Sequence, residues 1–192
     1  LGLLLVVLRA LTLWKAGAGA QELVDEVSDV MAKGGVRAAN QLVSDKKSVV
    51  AFVLGKVLSH LDEQDEQVEE IINEAILQKL PVVERFGSAI LVFAAVAPLL
   101  GLLGTVTGMI ATFDIITEYG TGDPKLLSGG ISEALITTQL GLMVAIPLLL
   151  LGNLLKGQAN NLQRLMERAA LRVLNLARVS TDNSKASGKD EG

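Results

Sequence analysis

The sequence predicts an all-α integral membrane protein with three transmembrane helices, the first incomplete in this chain, and long helices extending into the cytoplasm. Three observations lead there. Half of the 192 residues are apolar, yet four Phe, one Trp and one Tyr supply little of the aromatic bulk that soluble cores use. The apolar residues are gathered into blocks, and mean hydropathy is +0.46. Two of those blocks, Phe86 to Phe113 and Ala134 to Leu155, contain no charged residue.

Residues 1–14, "LGLLLVVLRALTLW", are apolar and end at Trp14 and Lys15, a pair suited to a membrane interface. The segment is too short to span a bilayer alone and is expected to be the end of a first transmembrane helix. Leu is not a natural start, so the chain is expected to begin inside a longer polypeptide. Arg9 sits awkwardly both in a span and in the alternatives, an interfacial amphipathic helix or a signal-peptide core.

Residues 15–85 are polar, acid-rich and helically patterned, and are expected to form a cytoplasmic helical region. "QELVDEVSDVMAKGG" puts Leu23, Val24, Val27, Val30 and Met31 on one face and is expected to end at Gly34 and Gly35. A second helix is expected to start at a capping Ser48 and to carry its apolar stripe to Leu80, with Pro81 either restarting a helix or kinking it. The acidic run "LDEQDEQVEE" reads as a solvated helix face; it lacks the glycine and ligand spacing of a calcium loop, and no metal site is expected.

The run from Phe86 to Phe113, at ~1.5 Å per residue, makes a helix of about 42 Å, more than the ~30 Å hydrocarbon core requires. Residues 86–113 are thus the second transmembrane helix and 131–155 the third. Between them, 114–130 is expected to be a periplasmic loop, turning at Gly120, Gly122, Asp123 and Pro124 and broken again from Ser128 to Gly130. Residues 156–180 continue as a cytoplasmic helix, and 181–192 read as a disordered tail. Eight Lys or Arg fall between Lys15 and Arg85 and seven from Lys156 onward, against only Lys125 in the hairpin connection, which places both long polar segments in the cytoplasm.

Within the spans, small residues recur at helical spacing. Gly101, Gly104, Gly108 and Thr112 lie along the second span; Gly130, Ala134 and Thr138, and beside them Thr137, Gly141 and Ala145, along the third. In a bilayer such rows permit close helix approach. The Gly104–Gly108 row is expected to let identical subunits close around a core. Pro147 frees a carbonyl in the last span and permits a bend.

No Asp, Glu, Lys, Arg or His lies in the runs 86–113 and 134–155 of the two complete spans. Their main polar side chains are Thr105, Thr107, Thr112, Thr137, Thr138 and Gln139, with Glu133 at the entrance of the last span. Hydroxyls can line a wet path, but a group that takes up and releases protons must be ionisable. If protons cross here, their carrier comes mainly from another chain. Protons and sodium suit a hydroxyl-lined path equally.

"PLLGLLGTVTGMIATF" followed by "GGISEALITTQLGLMVAIPLLLLGNLL" closely resembles the MotA/TolQ/ExbB proton-channel family, in particular the ExbB and TolQ branch with three membrane helices. The likeness is dense from Pro81 to Leu155 and continuous in order from "LRALTLW" onward. It implies a bacterial inner-membrane protein whose copies, typically five, surround two helices of an ExbD- or TolR-like partner bearing a membrane aspartate. Proton flow would drive a conformational cycle passed to a TonB- or TolA-like protein. The resemblance matches Thr105 and Thr138 to pore threonines, with Thr137 the neighbouring alternative, and Glu133 to the acid at the periplasmic end. The wording "APLLGLLGTVTGMI" is nearer to ExbB and thus to TonB-dependent nutrient uptake, with Tol-type envelope maintenance as the alternative.

Other function classes are disfavoured on composition. Without cysteine there is no disulfide, thiol catalysis or thiolate metal site. A net charge of −4 and scarce aromatics give no footing to a nucleic-acid partner. The lone His60 has no nucleophile beside it, so neither an enzyme nor a cofactor is expected. The remaining rival is a structural membrane scaffold in which the small-residue rows serve only assembly.

Overall fold

The computed structural model describes residues 2–120 and 124–187, which form six helices and, among the described residues, no strand. These are α1 (Gly2–Gly17), α2 (Ala20–Ser44), α3 (Val49–Ser59), α4 (Asp65–Glu84), α5 (Gly87–Tyr119) and α6 (Pro124–Ser187). Three helical stretches, Gly2–Lys33, Gly87–Glu118 and Ser128–Val179, are long and apolar enough to cross a membrane. The chain divides into two compact units, one of residues 1–9 with 86–156, the other of 10–85 with 157–192.

In the first unit α5 and α6 run antiparallel in a register that the glycines report. A methyl added to Gly108 would come within 2.9 Å of Ala134 Cβ, one on Gly104 within 2.6 Å of Thr137 Oγ1, and one on Gly141 within 2.7 Å of the Ala97 carbonyl. Gly130 packs against Thr112 in the same way, and Gly152 against Ile90. The two small-residue rows therefore face each other within one chain. This corrects the expectation that the Gly104–Gly108 row serves contact between identical subunits: its surface is already occupied by α6. The faces left outward are apolar, among them Leu99, Leu103 and Ile110 on α5 and Leu150 and Leu154 on α6, as a lipid-facing pair requires.

The start of α5 is set by Phe86, whose φ of 64° is left-handed and unusual for a bulky residue. Its carbonyl accepts from the Ile90 N–H at 3.1 Å, opening the helix. Gly87 follows because the Arg9 guanidinium occupies the space a Cβ would take. Arg9 is 2% exposed, so α1 carries a buried charge at the level where α5 begins.

The second unit is a helical body with Val27, Val50, Val53, Leu54, Val57, Val68, Met166 and Val173 in its core. Leu23, Val24, Val27 and Met31 are buried as the stripe predicts, with Val30 half-buried. The helical run breaks at Gly35 as expected: its φ of 73° and ψ of −177° are non-helical, a conformation only glycine takes at low cost, and a second helical run follows within α2 to Ser44.

The single helix expected from Ser48 to Leu80 is instead two, α3 and α4, separated at residues 60–64. Ser48 caps α3, its hydroxyl accepting from the Ala51 N–H at 3.0 Å. The break lets α4 return along α3, which brings the Lys79 ammonium 3.9 Å from the Phe52 ring centre. Pro81 lies inside α4 without ending it; the chain breaks at Arg85 and Phe86.

Two further boundaries differ. Ser128 to Gly130 are helical, since Gly130 is held against Thr112, and α6 covers 124–130 of the expected loop just as α5 covers 114–119. The turn residue Gly120 has φ 74°, while Gly122 and Asp123 lie outside the described residues. At the other end α6 is helical to Ser187 rather than Ser180, no Gly or Pro standing in between, and 188–192 lie outside the described residues.

Candidate functional site

The hydroxyls of the two spans do different things. On the outer face of α5, Thr107 bonds back to the Leu103 and Gly104 carbonyls at 3.1 and 3.0 Å. Thr112, 2% exposed, donates to the Gly108 carbonyl at 2.9 Å. These are local contacts of a kind threonine makes in any helix.

Thr105 and Thr138 are different. Their hydroxyls are hydrogen bonded to each other across the α5–α6 contact. Thr105 Oγ1 also lies 3.1 Å from the Ala134 carbonyl and 3.3 Å from that of Gly101, and Thr138 Oγ1 lies 3.1 Å from the Gly101 carbonyl. Such reach depends on the glycines, because a methyl on Gly101 would stand 3.0 Å from both the Thr137 carbonyl and Thr138 Cα.

A hydrogen count shows what the pair can offer. Two hydroxyls own two protons, and two carbonyls compete for them together with the partner oxygens. Either Thr105 donates to the Ala134 or Gly101 carbonyl and Thr138 to Thr105, or Thr138 donates to Gly101 and Thr105 to Thr138. Both orders spend both protons inside the chain. What remains outward is oxygen lone pairs, suited to a protonated carboxyl, a water hydrogen or a cation.

An open groove of ≈ 700 Å³ passes over this pair, lined by Thr105 and Thr138 with Leu102, Gln139, Leu142 and Met143 among its other residues. Thr137 is not in that lining; its hydroxyl is turned into the α5–α6 contact, 2.7 Å from the Ala134 carbonyl and 3.4 Å from that of Gly101. Of the two neighbouring threonines, Thr138 is the one at the groove. Glu133 is exposed on α6, outside the groove and outside the threonine cluster. Pro147, half-buried in α6, supplies no N–H to the Met143 carbonyl, which puts a weakened helical turn beside the groove.

Gly101, Gly104, Gly108 and Gly141 all lie in the α5–α6 contact. The sequence does not mark the Gly101 and Ala134 carbonyls, which orient the hydroxyls of Thr105, Thr137 and Thr138. Only the Thr105 to Gly101 spacing, one helical turn, hinted at the first.

Residues 36–168 match the model of the "MotA/TolQ/ExbB proton channel family". The biopolymer transport protein ExbB of Aquifex aeolicus is 39% identical over 108 residues, covering 56% of this chain and 71% of its own length. ExbB of Salmonella typhimurium is 27% identical over 172 residues, 86% of this chain and 68% of that protein. A putative ExbB-like protein of Synechocystis is 38% identical over 87 residues, and the chain spans only 41% of its length. Among solved structures, that of C. jejuni MotAB superposes with a TM-score of 0.68 at 20% identity, over 91% of this chain and 69% of that one, a likeness of fold. By the extent of the family match, the chain belongs to the MotA/TolQ/ExbB proton channel family.

Proposed function

We propose that this chain is the channel-forming subunit of a proton-driven motor of the ExbB type in a bacterial inner membrane. Copies of it, five in the expected assembly, enclose an ExbD-like single-span partner whose membrane aspartate carries the proton, and the cycle energises TonB-dependent uptake. The observation that carries this reading is the Thr105–Thr138 pair. It lines an open groove in spans whose only hydrophilic groups at that level are neutral, and its free lone pairs suit a protonated carboxyl. When the partner's acid gives up its proton, that hydrogen bond is lost. The pair thus distinguishes the two states of an acid that this chain does not own.

In this reading 15–85 and the residues after 156 face the cytoplasm, Glu133 sits near the periplasmic end and adjusts the local field, and Thr137 serves packing. The ExbB names of the relatives support the TonB-linked branch. The test is co-expression with candidate single-span partners, followed by purification and measurement of proton flux in vesicles. Stable co-purification and flux that vanishes when the partner's membrane aspartate becomes Asn support the motor. An assembly that forms with no partner and passes no protons leaves the scaffold role instead.

A further inference from the structure

Outside the spans, the second unit holds a cavity of ≈ 670 Å³ bordered by α2, α3 and α4. Lys46, Lys47, Lys56 and Lys79 all line it, and no Asp or Glu does. In a chain with 21 acids against 17 bases, four ammonium groups around one hollow without a carboxylate are a local reversal of sign. Lys46 is partly engaged, 3.5 Å from Glu26 in an exposed pair. Lys79 is positioned over the Phe52 ring, and among the described residues neither Lys47 nor Lys56 has an ion pair.

Apolar side chains line it as well, Val43, Phe52 and the exposed Val82 among them. A small hydrophilic anion would use the lysines and leave the apolar lining unused. An amphiphile would use both. Val82 is also five residues before Gly87, where the apolar stretch of α5 begins, so chain length alone keeps it within about 18 Å of that point. The first-turn N–H groups of α3, beside Lys47 and Ser48, add partial positive charge on the same side.

We propose that this cavity binds a phosphate-bearing anion, and that its source is the headgroup of an anionic phospholipid, with the lysines around the phosphate and the glycerol backbone against Val82. The headgroup of an anionic phospholipid keeps the net negative charge of its phosphodiester, whereas the choline of a zwitterionic lipid offsets it and is repelled by ammonium groups, so the lysines give the site its preference for the anionic lipid.

The test uses the full chain, purified in mild detergent in its native assembly. Native mass spectrometry would compare added phosphatidylglycerol, phosphatidylcholine and soluble glycerol 3-phosphate. The variants are the triple substitution Lys47→Gln, Lys56→Gln, Lys79→Gln and a control that removes equal charge elsewhere, Lys33→Gln, Arg164→Gln, Arg168→Gln, all exposed and outside the cavity lining. At about 1 kcal/mol for each lysine near an anionic headgroup, the cavity variant should bind phosphatidylglycerol roughly 100-fold more weakly. The control variant should bind as the parent does, and phosphatidylcholine should bind weakly to all three. Equal losses in the cavity and control variants, or equal binding of the two lipids by the parent, would overturn the site. Glycerol 3-phosphate binding as tightly as the lipid would overturn the lipid source and leave a soluble phosphate in its place. Unchanged helical content and subunit number in the variants keep a loss of binding distinct from a loss of fold.

Discussion

The Thr105 and Thr138 side chains, thirty-three residues apart, share a hydrogen bond, and each has a backbone carbonyl within reach on the opposite helix. Replacing either by Val keeps the shape and removes one hydroxyl. Polar contacts between membrane helices average about 0.6 kcal/mol, so the assembly should survive. Proton flux, in contrast, should fall at least roughly tenfold, the equivalent of ~1.4 kcal/mol in a barrier. Ser at either position should restore much of it. Normal flux through the Thr105→Val protein would remove the pair from the ion path.

Thr137 gives an internal control. Its hydroxyl is spent on the Ala134 and Gly101 carbonyls in the helix contact and is absent from the groove. Thr137→Val should lower thermal stability in detergent by an amount comparable with Thr138→Val while leaving proton flux within about twofold of the parent. A flux defect as deep as that of Thr138→Val would show that the groove does not define the path.

Gly141 and Gly157 occupy the same helix and should respond oppositely to alanine. A methyl on Gly141 meets the Ala97 carbonyl and stands 3.1 Å from Gly101 Cα, both backbone atoms that cannot step aside. The expected cost is ~1–3 kcal/mol. Around Gly157 nothing lies within 4 Å, so Ala there should gain up to about 1 kcal/mol of helix propensity. Thermal unfolding of the two variants in detergent measures both signs.

Gly87 and Arg9 should be coupled. Gly87→Ala forces the guanidinium to move, and the loss should be ~1–3 kcal/mol. In an Arg9→Ala background the same substitution should cost little, and the double-mutant cycle reads the difference. Strict additivity would mean that Gly87 is needed for the backbone beside Phe86 rather than for the guanidinium.

The spans were legible because charge is so costly in hydrocarbon that its absence over 86–113 and 134–155 admits few other readings. The matching rows were legible too, since spacing by four puts Gly104 and Gly108 on one face. Which helix would fill that face was not: a row of small residues specifies how near a neighbour comes and says nothing about whose neighbour it is. The α3–α4 break was missed for a related reason. "LDEQDEQVEE" is rich in good helix formers and has neither Gly nor Pro, so propensity favours continuation, and the reversal is imposed by packing of the two apolar stripes. At Ser128 to Gly130 the error ran the other way, local preference for a turn yielding to a contact with Thr112. The choice between Thr137 and Thr138 needs the rotation of α6 about its axis, which adjacent residues of the same type do not encode.

The approach of Gly141 to Gly101 has a mechanical side. Where side chains interdigitate, a helix pair can absorb displacement by changing rotamers; a seam of backbone against backbone has no such compliance. Around Gly101 and Gly141 the two spans are therefore joined as a single plank. In the proposed motor a stroke would tilt or turn that joint whole, and the bending would fall outside it, toward Gly120 at one end and Pro147 at the other.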